Sequence, residues 1–308
     1  MSAADVAAGA LQVAAIGLAP LLPGTIQNLK ARLQGRRGPS PLQPYRTLRR
    51  LWGKSAVDPE GTTALYRLAP AVVVACLLLA LAIVPLAGHS GSWGVGHDAL
   101  VLVGLLALAR FALAAATWDT ANGFGLLGAA RELTLAVFGE ALLVLALLLA
   151  ALPAQSTDLV AMSDAGAGSA VWGTPAHWCA ALAFALVVLL ETGRQPIDNP
   201  DTHLELTMIH EAPLLEYAGR DLAYLHWAAA ARHWVVLVLG ASLFLPHGDG
   251  FAAQVLTLAV ACAALCAALA FAETVQAKMR ILRVPALVGL GCVVALAGVG
   301  SWVAGVGM

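Results

Sequence analysis

The sequence predicts an all-α integral membrane fold of eight transmembrane helices with two long loops on one side. Three observations predict it. Hydrophobic residues make up 60% of the 308 residues and charged residues only 11%, against about 45–50% and 25% in soluble domains. So little charge cannot cover a surface that faces water. The apolar residues gather into stretches of roughly 20, the length that crosses a hydrocarbon core. Lysine and arginine fall in alternate connections between those stretches, and such asymmetry sets membrane orientation.

The spans run at about 6–29, 68–88, 99–118, 133–152, 172–190, 222–245, 251–272 and 285–306. They form one polytopic domain over 1–308. The first has no basic leader and Asp5 is its only early charge, so it reads as a retained helix, not a cleaved signal. Pro20 and Pro23 can kink it. The third, fourth and sixth spans carry Arg110, Glu140 and Arg232. The first connection, 30–67, holds Lys30, Arg32, Arg36, Arg37, Arg46, Arg49, Arg50, Lys54 and Arg67. The third ends at Arg131, the fifth (191–221) holds Arg194 and Arg220, and the seventh holds Lys278, Arg280 and Arg283. The even connections hold none. The odd ones are therefore expected in the cytoplasm, with both termini outside a cell (cytoplasmic) membrane. No repeat at helix-pair scale is visible, which counts against an inverted-repeat transporter.

Two cytoplasmic connections are longer than an anchor needs, and long structured loops are usually functional. In the first, Leu42, Tyr45, Leu48 and Trp52 fall near one helical face, with Arg46, Arg49 and Arg50 mainly off it. That pattern predicts a short amphipathic helix at the membrane interface. Its basic side either meets anionic headgroups or docks a peripheral protein through Arg36, Arg37, Gln43, Arg46 and Arg49. The fifth connection holds Glu191, Asp198, Asp201, Glu205, Glu211, Glu216 and Asp221, with His203 and His210. Leu204, Leu206, Met208, Ile209 and Leu214 are interleaved with them. This favours a partly buried acidic segment over a solvated loop. Crowded carboxylates in a low dielectric exchange protons near neutral pH. His203 and His210 join the expected docking surface.

Ionisable groups inside a span each cost a few kcal/mol and are functional candidates by default. Glu140 lies eight residues beyond Glu132, about 12 Å deeper along a helix. Arg232 lies twelve beyond Arg220, roughly 18 Å along. A Glu140–Arg232 or Glu140–Arg110 pair would lower the cost of burial. The pair is either inert or part of a proton path leading from the acidic segment through Glu132 to Glu140.

Metal chemistry finds little support. Cys76, Cys179, Cys262, Cys266 and Cys292 all lie in apolar stretches and form no CxxC. His210-Glu211 does not begin an HExxH motif, because Leu214 stands where the second histidine belongs. Neither a metal site nor a cofactor is expected on this chain, and no nucleic-acid partner.

Two runs carry a family resemblance. RRGPSPLQPYRTLRRLWGK at Arg36 to Lys54 resembles the first cytoplasmic loop of the complex I subunit 1 proteins, the H-type membrane subunits. ETGRQPIDNPDTHLELTMIHEAPLLEYAGRDLA at Glu191 to Ala223 is similar to the homologous subunit of group 4 membrane-bound nickel–iron hydrogenases, of the formate hydrogenlyase subunit 4 or hydrogenase-4 component C type. GLLGAARELTLAVFGE at Gly125 to Glu140 is similar to a segment shared by both branches. The resemblance implies an eight-helix, non-catalytic membrane subunit of an oxidoreductase complex, like the H-type subunit of complex I. Its implied partners are hydrogenase-like large and small subunits, an iron–sulfur protein and antiporter-like membrane subunits. The NiFe centre and iron–sulfur clusters would lie in those partners. It also implies that Glu191, Asp198, Glu205, Glu211 and Glu216 form the family's acidic loop and that Glu140 is its intramembrane glutamate. Thr202 to Glu211 departs from the more acidic run of the quinone-using branch, which favours hydrogenase coupling over quinone reduction.

Overall fold

The computed structural model describes residues 3–86, 96–198, 209–248 and 250–306. Among these, twelve α-helices follow in order: α1 (Ala3–Leu18), α2 (Leu21–Leu33), α3 (Gln43–Trp52), α4 (Ala64–Ile83), α5 (Ala99–Asp119), α6 (Gly123–Ala151), α7 (Leu159–Gly166), α8 (Ser169–Trp172), α9 (Pro175–Glu191), α10 (Gly219–Phe244), α11 (Phe251–Val275) and α12 (Val284–Val306). Side-chain oxygens start several of them. Thr63, Asp98, Asn122 and Asp158 accept from the first free amides of α4, α5, α6 and α7, the groups a helix N-terminus leaves unpaired.

Among the described residues, six helices are long and apolar enough to cross a membrane: α4, α5, α6, α10, α11 and α12. The other two expected spans differ in form. The first is broken, because α1 and α2 meet at 55°. Pro20 lacks the N–H that Ile16 O would accept in a continuous helix. The Trp227 indole donates to Ile16 O instead at 2.9 Å, and the Tyr45 hydroxyl donates to Gly17 O at 2.6 Å. Lipid offers no substitute partner for such carbonyls. The fifth is short: the 17 residues of α9 reach about 25 Å, less than the ~30 Å of a hydrocarbon core. The fourth helix starts ten residues before its expected position, so Glu132 lies within α6.

The amphipathic helix expected in the first connection is α3. It is not confined to a lipid surface. Leu51 is its buried residue, and Trp52 meets Tyr224 of α10 edge-on at 5.1 Å. Arg46, Arg49 and Arg50 remain exposed.

α10 is the central post, touching α2, α3, α4, α7, α9 and α11. In its most apolar stretch 72% of residues are buried, against 17% in α11 and 28% in α12. A helix apolar all round belongs inside a protein or in lipid, and these three divide accordingly. At one end, Ala99 N donates to Thr157 O and Leu159 N to His97 O, joining the second and fourth connections. At the other, Asp119 accepts from Thr63, and Met279 N donates to Pro196 O. The odd connections thus meet one another.

Candidate functional site

The segment after Glu191 turns back against α5, α6 and α10. Two glycines allow this. Gly193 takes φ +59, a backbone conformation that side chains disfavour, and a Cβ there would collide with the His210 ring. A Cβ on Gly128 would collide with Ala212 in the short 3₁₀ turn Ala212–Leu214. The fifth connection can therefore press into the bundle and carry its polar side chains with it.

They meet Arg110. Its guanidinium donates to Glu191 Oε1 at 2.6 Å and to Glu140 Oε1 at 2.7 Å, and lies 3.8 Å from Glu132 Oε1. Arg232 approaches Glu191 Oε2 at 3.7 Å. His210 Nδ1 is 3.5 Å from Glu132 Oε1. Glu132 and Glu191 are buried, whereas the Glu140 side chain keeps 32% of its exposure. Glu191 ends α9, where the helix dipole repels a carboxylate, and the two guanidiniums offset that repulsion. The cluster sets two guanidiniums against three carboxylates. One bound proton, on His210 or on a carboxyl group, balances it.

His210 lies outside the spans. Burial lowers its pKa, but the hydrogen bond and charge of Glu132, aided by Asp198, outweigh this and raise it above the ordinary value. Beside it is a cavity of about 140 Å³ reached by Arg110, Glu132, Asp198, His210, Glu211 and Arg232, large enough for several waters.

Asp198 begins a second group. It accepts from the Ile209 and His210 amides at 3.2 and 3.4 Å and pairs with Lys278 at 3.0 Å. Nearby, Arg194 donates to Glu273 Oε1 at 2.9 Å, and Lys30 lies 3.2 Å from Glu273 Oε2.

The structure thus brings together Glu132, Glu140, Glu191, His210 and Arg232, with Glu211 and Asp198 at the cavity. Of the two pairings expected for Glu140, the one with Arg110 forms. Glu216 stands apart. It accepts from Asn122, and its carbonyl accepts from Tyr66, tying the segment to α6 and α4. Among the expected docking residues, Arg36, Arg37, Arg46 and Arg49 are exposed and Gln43 is half-buried, while the His210 ring turns inward to Glu132. His203 and Glu205 lie outside the described residues. Sequence reasoning missed Glu273. It follows an apolar run like any residue at a helix end, and no local pattern marks it. Among the described residues no group of three or more His, Cys, Asp and Glu could hold a metal ion.

A bundle of long apolar helices around a buried, nearly neutral charge cluster defines a polytopic helical membrane protein with an ionisable interior. Residues 6–302 match the family model described as NADH dehydrogenase, and the chain belongs to that family. It is 36% identical over 243 residues to hydrogenase-4 component C of Escherichia coli K12, covering 79% of this chain and 75% of that one. With formate hydrogenlyase subunit 4 of the same organism it shares 33% over 241 residues, 75% of each chain. With the H subunit of the NADH-quinone oxidoreductase of Salinibacter ruber it shares 25% over 241 residues, 73% of this chain and 69% of that one. Its fold matches a chain of the membrane-bound sulfane sulfur reductase, an archaeal respiratory membrane complex, with TM-score 0.81, 20% identity, and 94% and 95% of the two chains covered.

Proposed function

We propose that this chain is the membrane-anchor and energy-coupling subunit of a membrane-bound NiFe-hydrogenase or formate hydrogenlyase-type complex. One observation carries the reading: acidic and basic groups run without a break from His210 at the cavity, through Glu132 and Arg110, to Glu140 well inside α6. A structural ion pair needs two groups. This series needs one further proton for neutrality and sits beside a cavity that can hold water. Redox at the last iron–sulfur cluster of a docked partner would bias that proton between His210, Glu132, Glu191 and Glu140. Arg110 and Arg232 hold the fixed compensating charge.

Two of the relatives described above are a component of hydrogenase-4 and a subunit of formate hydrogenlyase, which supports the hydrogenase branch. In this reading α1–α2 and α9 complete eight spans, and the odd connections face the cytoplasm. Their mutual hydrogen bonds support a common side. The exposed arginines of the first connection receive the peripheral electron-transfer module, and antiporter-like subunits flank the bundle.

Purification in mild detergent tests the assembly. A large NiFe subunit and a cluster-bearing small subunit should co-purify. A fully active isolated chain would contradict the proposal.

A further inference from the structure

The central cluster leaves out a buried carboxylate that two connections converge on. Glu273, in the last turn of α11, is 3% exposed. It receives Arg194 from the fifth connection and Lys30 from the end of α2. The Gln195 side-chain amide group lies 2.9 Å from the Glu273 backbone carbonyl and from that of Gln276. A few residues on, Lys278 pairs with Asp198, and Met279 N donates to Pro196 O at 2.8 Å. The end of α11 therefore grips residues 194–198 along their length. Asp198 passes the grip on by holding the Ile209 and His210 amides, and His210 faces Glu132.

The rest of α11 makes this arrangement informative. Its long apolar stretch is the least buried of the six long helices, and it packs chiefly on α2, with α10 second. Packing anchors it weakly to the helices of the central cluster, while its end is tied to the segment that supplies His210. α2 leads into the first connection, so Lys30 links that connection to the same carboxylate.

We infer that Glu273 is a positioning residue: it joins α2 and the fifth connection so that the Arg194–Asp198 segment holds His210 against Glu132. A force or charge arriving at the first connection reaches the central cluster through Lys30, Glu273, Arg194 and Asp198. The inference gives α11 a task in coupling and rests on the coupling reading above, although the clamp itself is a matter of geometry.

Hydrogen exchange on the assembled complex tests it, comparing E273Q with the unchanged chain. The Ile209 and His210 amides should exchange about tenfold faster or more, as expected when charge-assisted hydrogen bonds lose their support. Amides of α11 at 258–266 and of central α10 should keep their protection. E273D, which retains the charge, should restore at least part of the loss at 209–210. Unchanged exchange at 209–210 in E273Q overturns the inference. So does equal loss of protection throughout α11 and α10, which marks a merely structural residue. The readout is independent of proton transfer. Should E140Q leave coupling intact while E273Q loosens His210, the coupling reading fails and the clamp stands. The reverse pattern fails the clamp alone.

Discussion

Arg110 touches three carboxylates at once, so its replacement leaves more than one charge stranded. Arg110→Leu is expected to destabilise the chain by about 3–5 kcal/mol or more, the cost of breaking a buried pair. Glu140→Gln should cost far less, because Glu140 keeps partial exposure and glutamine can still accept from Arg110. Thermal denaturation of the two variants in detergent measures the difference. His210 makes a pH prediction. Its folded pKa lies above the ordinary value of about 6.5. Its contribution to stability is therefore complete below that unfolded value and is lost as pH rises through the folded pKa. Protection of the amide at 210, taken relative to its intrinsic exchange rate at each pH, should fall over that window, and His210→Gln should abolish this fall. Arg110, Glu140 and Arg232 were legible in the sequence because a charge in an apolar stretch stands out. Glu191 and His210 were legible as members of an acidic segment, but not as partners of Arg110. Their meeting depends on Gly193 and Gly128 admitting the segment into the bundle, and nothing local records which helix it will face. Glu273 ends its helix in an ordinary position, and only the fold shows what it binds.

At the scale of elements, hydrophobicity marked the six helices that are long and apolar enough to cross a membrane, because burial in lipid imposes a length and a composition. The break in the first span was legible only as two prolines. Its repair was not, since Trp227 and Tyr45 come from distant parts of the chain. Trp227→Phe should leave Ile16 O without a donor and cost about 1–3 kcal/mol, read as a lower denaturation temperature. Tyr45→Phe should act similarly at Gly17 O. The polar face of α3 makes a different prediction. Arg46, Arg49 and Arg50 are exposed, so replacing them with glutamine should leave the melting temperature unchanged. Association with the peripheral module should weaken, and its dependence on ionic strength should flatten. Equal binding by both forms across a salt series would show that these arginines serve headgroups alone.

On the scale of the whole molecule, two ionic groups share one side of the bundle and are joined through Asp198 and His210. The first extends along α6 to Glu140. The second reaches α2 and α11 through Glu273. The central claim is that this arrangement couples redox to ion movement, and Glu140 is its innermost acid. The most direct test is redox-driven proton uptake or release in vesicles carrying the intact complex, with Glu140→Gln compared at equal electron flux. The account predicts that electron transfer persists while proton movement falls to background. Proton movement undiminished in Glu140→Gln would contradict it.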